Sequence, residues 1–138
     1  MAVDTIAGLK AKMPLGTAAG TSVQDLHDIV DTLEDRTTQA LVTATANYGV
    51  GLADNRRKIV VNAATAVTVT LPNTTPVGFE LTLIQMGAGA AVVQVTGGTL
   101  VSRGTHTRTA GQYAIAFLVC TANAGTAPQI VLSGDTAP

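Results

Sequence analysis

Val67-Thr68-Val69-Thr70-Leu71, Phe79-Glu80-Leu81-Thr82-Leu83 and Val93-Gln94-Val95-Thr96 alternate apolar and polar residues at every step. Period two marks a half-buried β-strand, because successive side chains leave opposite faces of the pleat. Pro72-Asn73, Pro76 to Gly78, Gly87-Ala88-Gly89, Gly97-Gly98 and Asn123 to Pro128 stand between and after these runs. Such residues end strands and supply turns. Short strands separated by turns at this spacing predict an antiparallel β-sandwich or small barrel over residues 49–138, so the chain is expected to be mainly β. Tyr113 to Cys120 breaks the alternation and is apolar at nearly every position. It predicts a strand covered on both faces, at the centre of a sandwich or against neighbouring subunits.

Upstream the period changes. Thr21 or Ser22, followed three residues later by Gln24 or Asp25, matches a capping box, and acids crowd the first turns. Val23, Leu26, Val30, Leu33, Thr37, Ala40 and Ala44 then follow at alternating spacings of three and four. That is the a/d seam of a heptad. Residues 22–48 are therefore expected to form a short, coiled-coil-like amphipathic helix, closed by Asn47-Tyr48-Gly49, whose Asn and Gly tolerate a left-handed turn. Ile29 and Leu41 flank the seam and widen it, favouring three helices or packing against a β-domain. An ordinary amphipathic helix lying on its own domain is the other reading of the same stripe.

Residues 1–21 show neither period. Met13-Pro14, Leu15-Gly16 and Thr17-Ala18-Ala19-Gly20-Thr21 read as an arm, with Ile6, Leu9, Met13 and Leu15 as scattered apolar side chains. The arm is expected either to order on a partner surface through those four residues or to be a terminus without a role. Asp4, Gly8, Lys10 and Lys12 interrupt any secretory apolar segment. No run of about 18 apolar residues suggests a membrane span, so no membrane partner is expected.

Composition narrows the classes further. Apolar residues make up 46% of the 138 residues but charged residues only 12%, about half the usual share, so Thr, Ala, Val and Gly dominate a chain with room for one globular core. A formal net charge of -1 offers no basic field for phosphates. Arg56-Arg57-Lys58 is the one basic run and reads as a solvated hinge, so nucleic acid is not an expected partner. Cys120 is the single cysteine, which leaves no intrachain disulfide and predicts a buried, inert thiol.

Catalytic chemistry needs convergent polar groups, and few are present. Beyond Ile59 the carboxylates are Glu80 and Asp135, a poor basis for a glycosidase acid pair. His27 and His106 lack a second His or Cys at ligand spacing, so no metal site is expected. Ser102 with His106 lacks an orienting acid nearby in sequence. Gly87-Ala88-Gly89-Ala90-Ala91-Val92 imitates a dinucleotide fingerprint but lacks the third Gly and precedes a strand pattern, so it reads as a tight turn and no cofactor is expected. Asn73-Thr74-Thr75 is a sequon of the kind that arises by chance in Thr-rich chains. No catalytic, cofactor-binding or metal-binding residue is assigned.

Lys58-Ile59-Val60-Val61-Asn62 leads to Val67-Thr68-Val69-Thr70-Leu71-Pro72, then to Gly78-Phe79-Glu80-Leu81-Thr82-Leu83-Ile84-Gln85 with the Gly87-Ala88-Gly89 turn. Gly111-Gln112-Tyr113 and Leu132-Ser133-Gly134-Asp135 complete the order. In that order, over roughly residues 56–135, the chain resembles a family of C-terminal β-domains of phage head-fibre, capsid decoration and tail-fibre proteins. The family often carries a Trp shortly before the closing Leu-Ser-Gly-Asp; Gln129 and Ile130 fill that stretch here. The resemblance implies a virion structural protein, commonly a homotrimer, and no catalytic residues. Together with the residue reading it predicts a protein on the virion surface, made in the host bacterial cytoplasm. It would trimerise along Val23, Leu26, Val30, Leu33, Thr37, Ala40 and Ala44 and be anchored to the major capsid protein or another virion protein by Ile6, Leu9, Met13 and Leu15. A tail or collar fibre domain is the alternative. A host-glycan binding module is another, and would need a polar groove with an exposed Tyr48 or loop residues.

Overall fold

A computed structural model describes residues 41–138, and these form two β-sheets around one apolar core. The strands are β1 Leu41–Ala44, β2 Tyr48–Gly49, β3 Arg57–Val61, β4 Val67–Leu71, β5 Glu80–Gln85 and β6 Ala91–Val95. They continue as β7 Thr99–Ser102, β8 Arg108–Thr109, β9 Ile115–Asn123, β10 Pro128–Gly134 and β11 Thr136–Ala137. A single 3-10 turn, Leu52–Asp54, is the only helical element among the described residues. The chain is mainly β, as the alternation predicts. Val67, Val69 and Leu71 point inward from β4, while Leu81 and Leu83 do so from β5, and all five are buried.

The expected antiparallel arrangement is not what forms. The six-stranded sheet runs β1-β3-β5-β9-β10-β7 and the five-stranded sheet β11-β8-β6-β4-β2. In the first, β1 with β3, β3 with β5 and β10 with β7 are parallel; in the second, β2 with β4 and β4 with β6 are parallel. Only the pairs made by β8, β9 and β11 with their neighbours are antiparallel. Both sheets are thus mixed. The cause lies in the turns. From β1 to β6 each connection carries the chain from one sheet to the other, so strands that share a sheet are every second strand and run the same way. A sequence turn signal marks the reversal but not whether the next strand pairs with the last or crosses over.

The result is a stack of rungs. Arg57 pairs with Leu81 and Val67 with Ala91, so the β3–β4 and β5–β6 rungs are offset by 24 residues on both sheets. Their crossings stack as well, and here glycine is obligatory. A Cβ at Gly87 or Gly89 would overlap the backbone carbonyl of Ala63 or Thr65 in the crossing beneath.

Over residues 41–48, the part of the expected 22–48 helix that is described, the chain is not helical. Leu41–Ala44 is strand and pairs in parallel with Lys58–Val61, and Tyr48 of β2 pairs with Val69. Ala44, assigned to a helical seam, is instead a buried residue of the sandwich core. Tertiary pairing overrides a stripe that Thr37 and two alanines leave weak, because Leu41-Val42-Thr43-Ala44 satisfies period two as readily as a heptad. Leu41–Ala44 and Tyr48 therefore belong to the β-sheets although they precede residue 49, where the β-domain is expected to start. Val23, Leu26, Val30, Leu33, Thr37 and Ala40 of the seam, and the anchoring residues Ile6, Leu9, Met13 and Leu15, lie outside the described residues.

Candidate functional site on the outer face of the six-stranded sheet

Strand β9 explains the apolar run that broke the alternation. Ala116, Leu118 and Cys120 point into the core and are buried, whereas Ile115, Phe117 and Val119 point outward and are exposed. The inner face is covered, and among the described residues nothing covers the outer one. Register extends the stripe sideways. Phe117 sits between Thr82 of β5 and Ser133 of β10, Val119 between Glu80 and Val131, and Ile115 opposite Ile84. Val131 in turn pairs with Val101 of β7. Four adjacent strands therefore share an apolar band.

Tyr113 stands at the Ile115 end of this band, and its backbone is unusual. Its φ of 70° lies in the left-handed region, which a non-glycine residue rarely enters. Three hydrogen bonds hold the turn there. The Tyr113 N–H donates to Gln85 O at 2.6 Å, the Ala114 N–H to Gly111 O at 3.0 Å, and Gln112 Nε2 to Met86 O at 3.0 Å. The ring they display is exposed. The strand expected from Tyr113 thus begins only at Ile115, because the bend at 111–114 uses the preceding backbone groups.

The structure separates the residues that sequence raised for catalysis. Glu80 faces Val119 and Asp135 hydrogen-bonds Ile115 O at the other end of the same strand. Four residues of strand, about 13 Å, part those backbones. Ser102 Oγ donates to the carbonyl of His106 at 2.7 Å, and the ring Nδ1 lies 2.8 Å from Thr136 Oγ1, so the hydroxyl is not on the imidazole. No group of three metal-ligating side chains occurs among the described residues. Thr75 of the sequon is buried with its hydroxyl on Pro72 O at 2.6 Å. Cys120 is buried, as expected for an inert thiol.

Tyr48 is not the exposed aromatic a glycan groove would need. It is half-buried, and its hydroxyl donates to the carboxylate of buried Asp54 at 3.0 and 3.1 Å. The Gly51 N–H donates to the same carboxylate at 2.9 Å, closing the 3-10 turn. Burial, reinforced by the bond to Asp54 and that residue's charge, raises the Tyr48 phenol above its ordinary value, with Arg57 opposing.

Sequence reading missed this pair and a second one between the sheets. Gln85 Oε1 accepts from the Thr109 hydroxyl, Thr109 Oγ1 accepts from the Ala91 N–H, and Gln85 Nε2 donates to the carbonyls of Gly87 and Ala88. One signal was legible. Gln85 continues the inward series Leu81, Leu83, Gln85, and a buried amide demands partners.

No protein-family model, curated protein or solved structure matches the chain.

Proposed function

We propose that the protein is a non-enzymatic structural component of a phage particle, a trimeric capsid decoration or head-fibre protein. Its β-domain is displayed outward and residues 1–21 attach it to the major capsid protein or another shell protein. The observation that carries this reading is the open apolar face of β9. Ile115, Phe117 and Val119 are exposed on it, and in an assembled structural protein other chains would cover such a surface. The motif order supports the virion setting, and an 80- to 100-residue β-domain gains core by association. A tail or collar fibre differs only in what the arm grips. Labelled electron microscopy of intact particles tests the assignment: label over the shell is expected, label at the tail moves the protein to the fibre reading, and particles without label overturn it.

A further inference from the structure

We infer that copies of this chain meet through the outer face of the six-stranded sheet, with Tyr113 and Phe117 as anchors. The inference rests on the homotrimer reading above and moves its principal contact from the heptad-spaced residues to the β-domain.

Area is the first argument. Tyr113 is 68% exposed, Phe117 51%, Ile115 43%, Met86 41%, Val119 38% and Val101 37%. Ile115, Phe117 and Val119 lie at outward positions of β9 and Val101 at one of β7, and Met86 stands at the step that continues the outward parity past Ile84. A large side chain presents about 150–250 Å2, so the six leave roughly 400–700 Å2 of apolar surface. A stable interface takes about 800 Å2 from each partner, and where like chains meet about two thirds of it is apolar, or about 500 Å2. The face therefore has the size of such an interface, and it reaches or exceeds the largest apolar patch of an ordinary monomer.

Charge selects the occupant. Around a threefold axis the residues nearest the axis meet their own copies, so net charge there meets like charge. The outward positions of β5, β9, β10 and β7 are Glu80, Thr82, Ile84, Ile115, Phe117, Val119, Thr121, Gln129, Val131, Ser133, Thr99 and Val101. One of these carries charge, Glu80 at the end of β5, and Lys58 of neighbouring β3, beside Thr82, adds the opposite charge to the same face. With one charge of each sign the face has no net charge to attract an acidic or basic partner or to oppose a second copy of itself.

The backbone of Tyr113 supplies the third argument. Glycine would enter the left-handed region freely, yet the position holds a large aromatic whose ring is turned to solvent. The hydrogen bonds of the turn hold this backbone and turn the ring outward, and burial of that ring against another chain would give it the role that tyrosine commonly fills at the centre of interfaces.

Sedimentation of the full-length chain and its variants tests this. The unchanged protein should run as three chains. Phe117→Ser combined with Val119→Ser should lower the mass threefold, with the far-ultraviolet circular dichroism of a folded β-protein retained. Tyr113→Gly removes the ring while easing the backbone, so it should keep or raise folding stability and weaken association at least tenfold; this variant decides the matter even if the serine pair misfolds. Leu52→Ser alters an exposed leucine on the 3-10 turn and should leave the mass unchanged. If the serine pair and Tyr113→Gly both remain trimeric while Leu26→Asp with Leu33→Asp dissociates, the inference falls and the trimer reading survives on the heptad positions. A monodisperse monomer at micromolar concentration from the unchanged chain overturns the trimer reading and the inference together.

Discussion

The hydroxyl of Thr109 on β8 donates to Gln85 Oε1 on β5 at 2.5 Å and so fastens one sheet to the other through the core. The same hydroxyl oxygen accepts the Ala91 N–H at 2.9 Å, and the Gln85 amide holds the carbonyls of the crossing above it. Every buried polar side-chain atom among the described residues has a partner, and here the partners span three strands.

Thr109→Val keeps shape but removes the donor to Gln85 and the acceptor for Ala91. Each group left unsatisfied in the core costs about 1–3 kcal/mol, so the variant should be destabilised by about 2–4 kcal/mol. Urea unfolding of the variant against the parent gives the number, and a change below about 0.5 kcal/mol would mean that the network is dispensable.

The stacked crossings predict a contrast among glycines. Gly89→Ala and Gly87→Ala push a methyl into the backbone of Thr65 and Ala63, and each should cost about 1–3 kcal/mol or prevent folding. Gly49→Ala meets no atom within 4 Å and should be neutral or stabilising by up to about 1 kcal/mol. Thermal unfolding of the three variants side by side shows whether the rungs are packed as described.

Tyr48 makes stability depend on pH at the alkaline end. Its phenol is raised above the ordinary value of 10.0 by burial first and by Asp54 second. A raised folded value means that the neutral phenol stabilises the fold below the unfolded value, and that this contribution is lost as pH climbs through the folded one. The parent should therefore lose more stability than Tyr48→Phe between pH 9 and pH 11. At pH 7 the parent should be the more stable of the two, because Phe leaves the Asp54 carboxylate without the phenol donor, at about 1–2 kcal/mol. Denaturant midpoints at the two pH values check both signs.

Attachment to the particle should depend on the arm. Residues 1–20 include Ile6, Leu9, Met13 and Leu15, each of which gains about 1.5–3 kcal/mol on full burial, against about 1–2 kcal/mol per residue of ordering entropy. The four together gain about 6–12 kcal/mol, enough to offset the ordering of only the few residues around them, so one arm grips weakly and three arms on one trimer act together. A chain lacking residues 1–20 should remain a trimer and fail to rebind particles stripped of the protein. Rebinding equal to that of the full chain would assign the grip to another part of the molecule.

Local pattern was enough to establish that this is a β-protein, to place β4 at its observed bounds and β5 and β6 within two residues of theirs, and to single out β9 as a strand with two apolar faces. Alternation reports which side chains enter a core, since that depends on the pleat alone. It does not report the partner of a strand. Val67–Leu71 would read the same beside β3 as beside β6, and the parallel rungs arise only when the 24-residue offset lets Gly87 and Gly89 lie on the backbone of Ala63 and Thr65. For the same reason Leu41–Ala44 fitted a heptad until pairing with β3 claimed it for the sheet. The tie between Tyr48 and Asp54 hangs on the 3-10 turn that brings residues six apart together, the tie between Gln85 and Thr109 on residues 24 apart meeting across the core. Neither pairing has a local period. Side-chain facing is a property of neighbours along the chain, whereas strand order, buried polar partners and the strained display of Tyr113 depend on contacts between distant segments, and only the folded sandwich decides those.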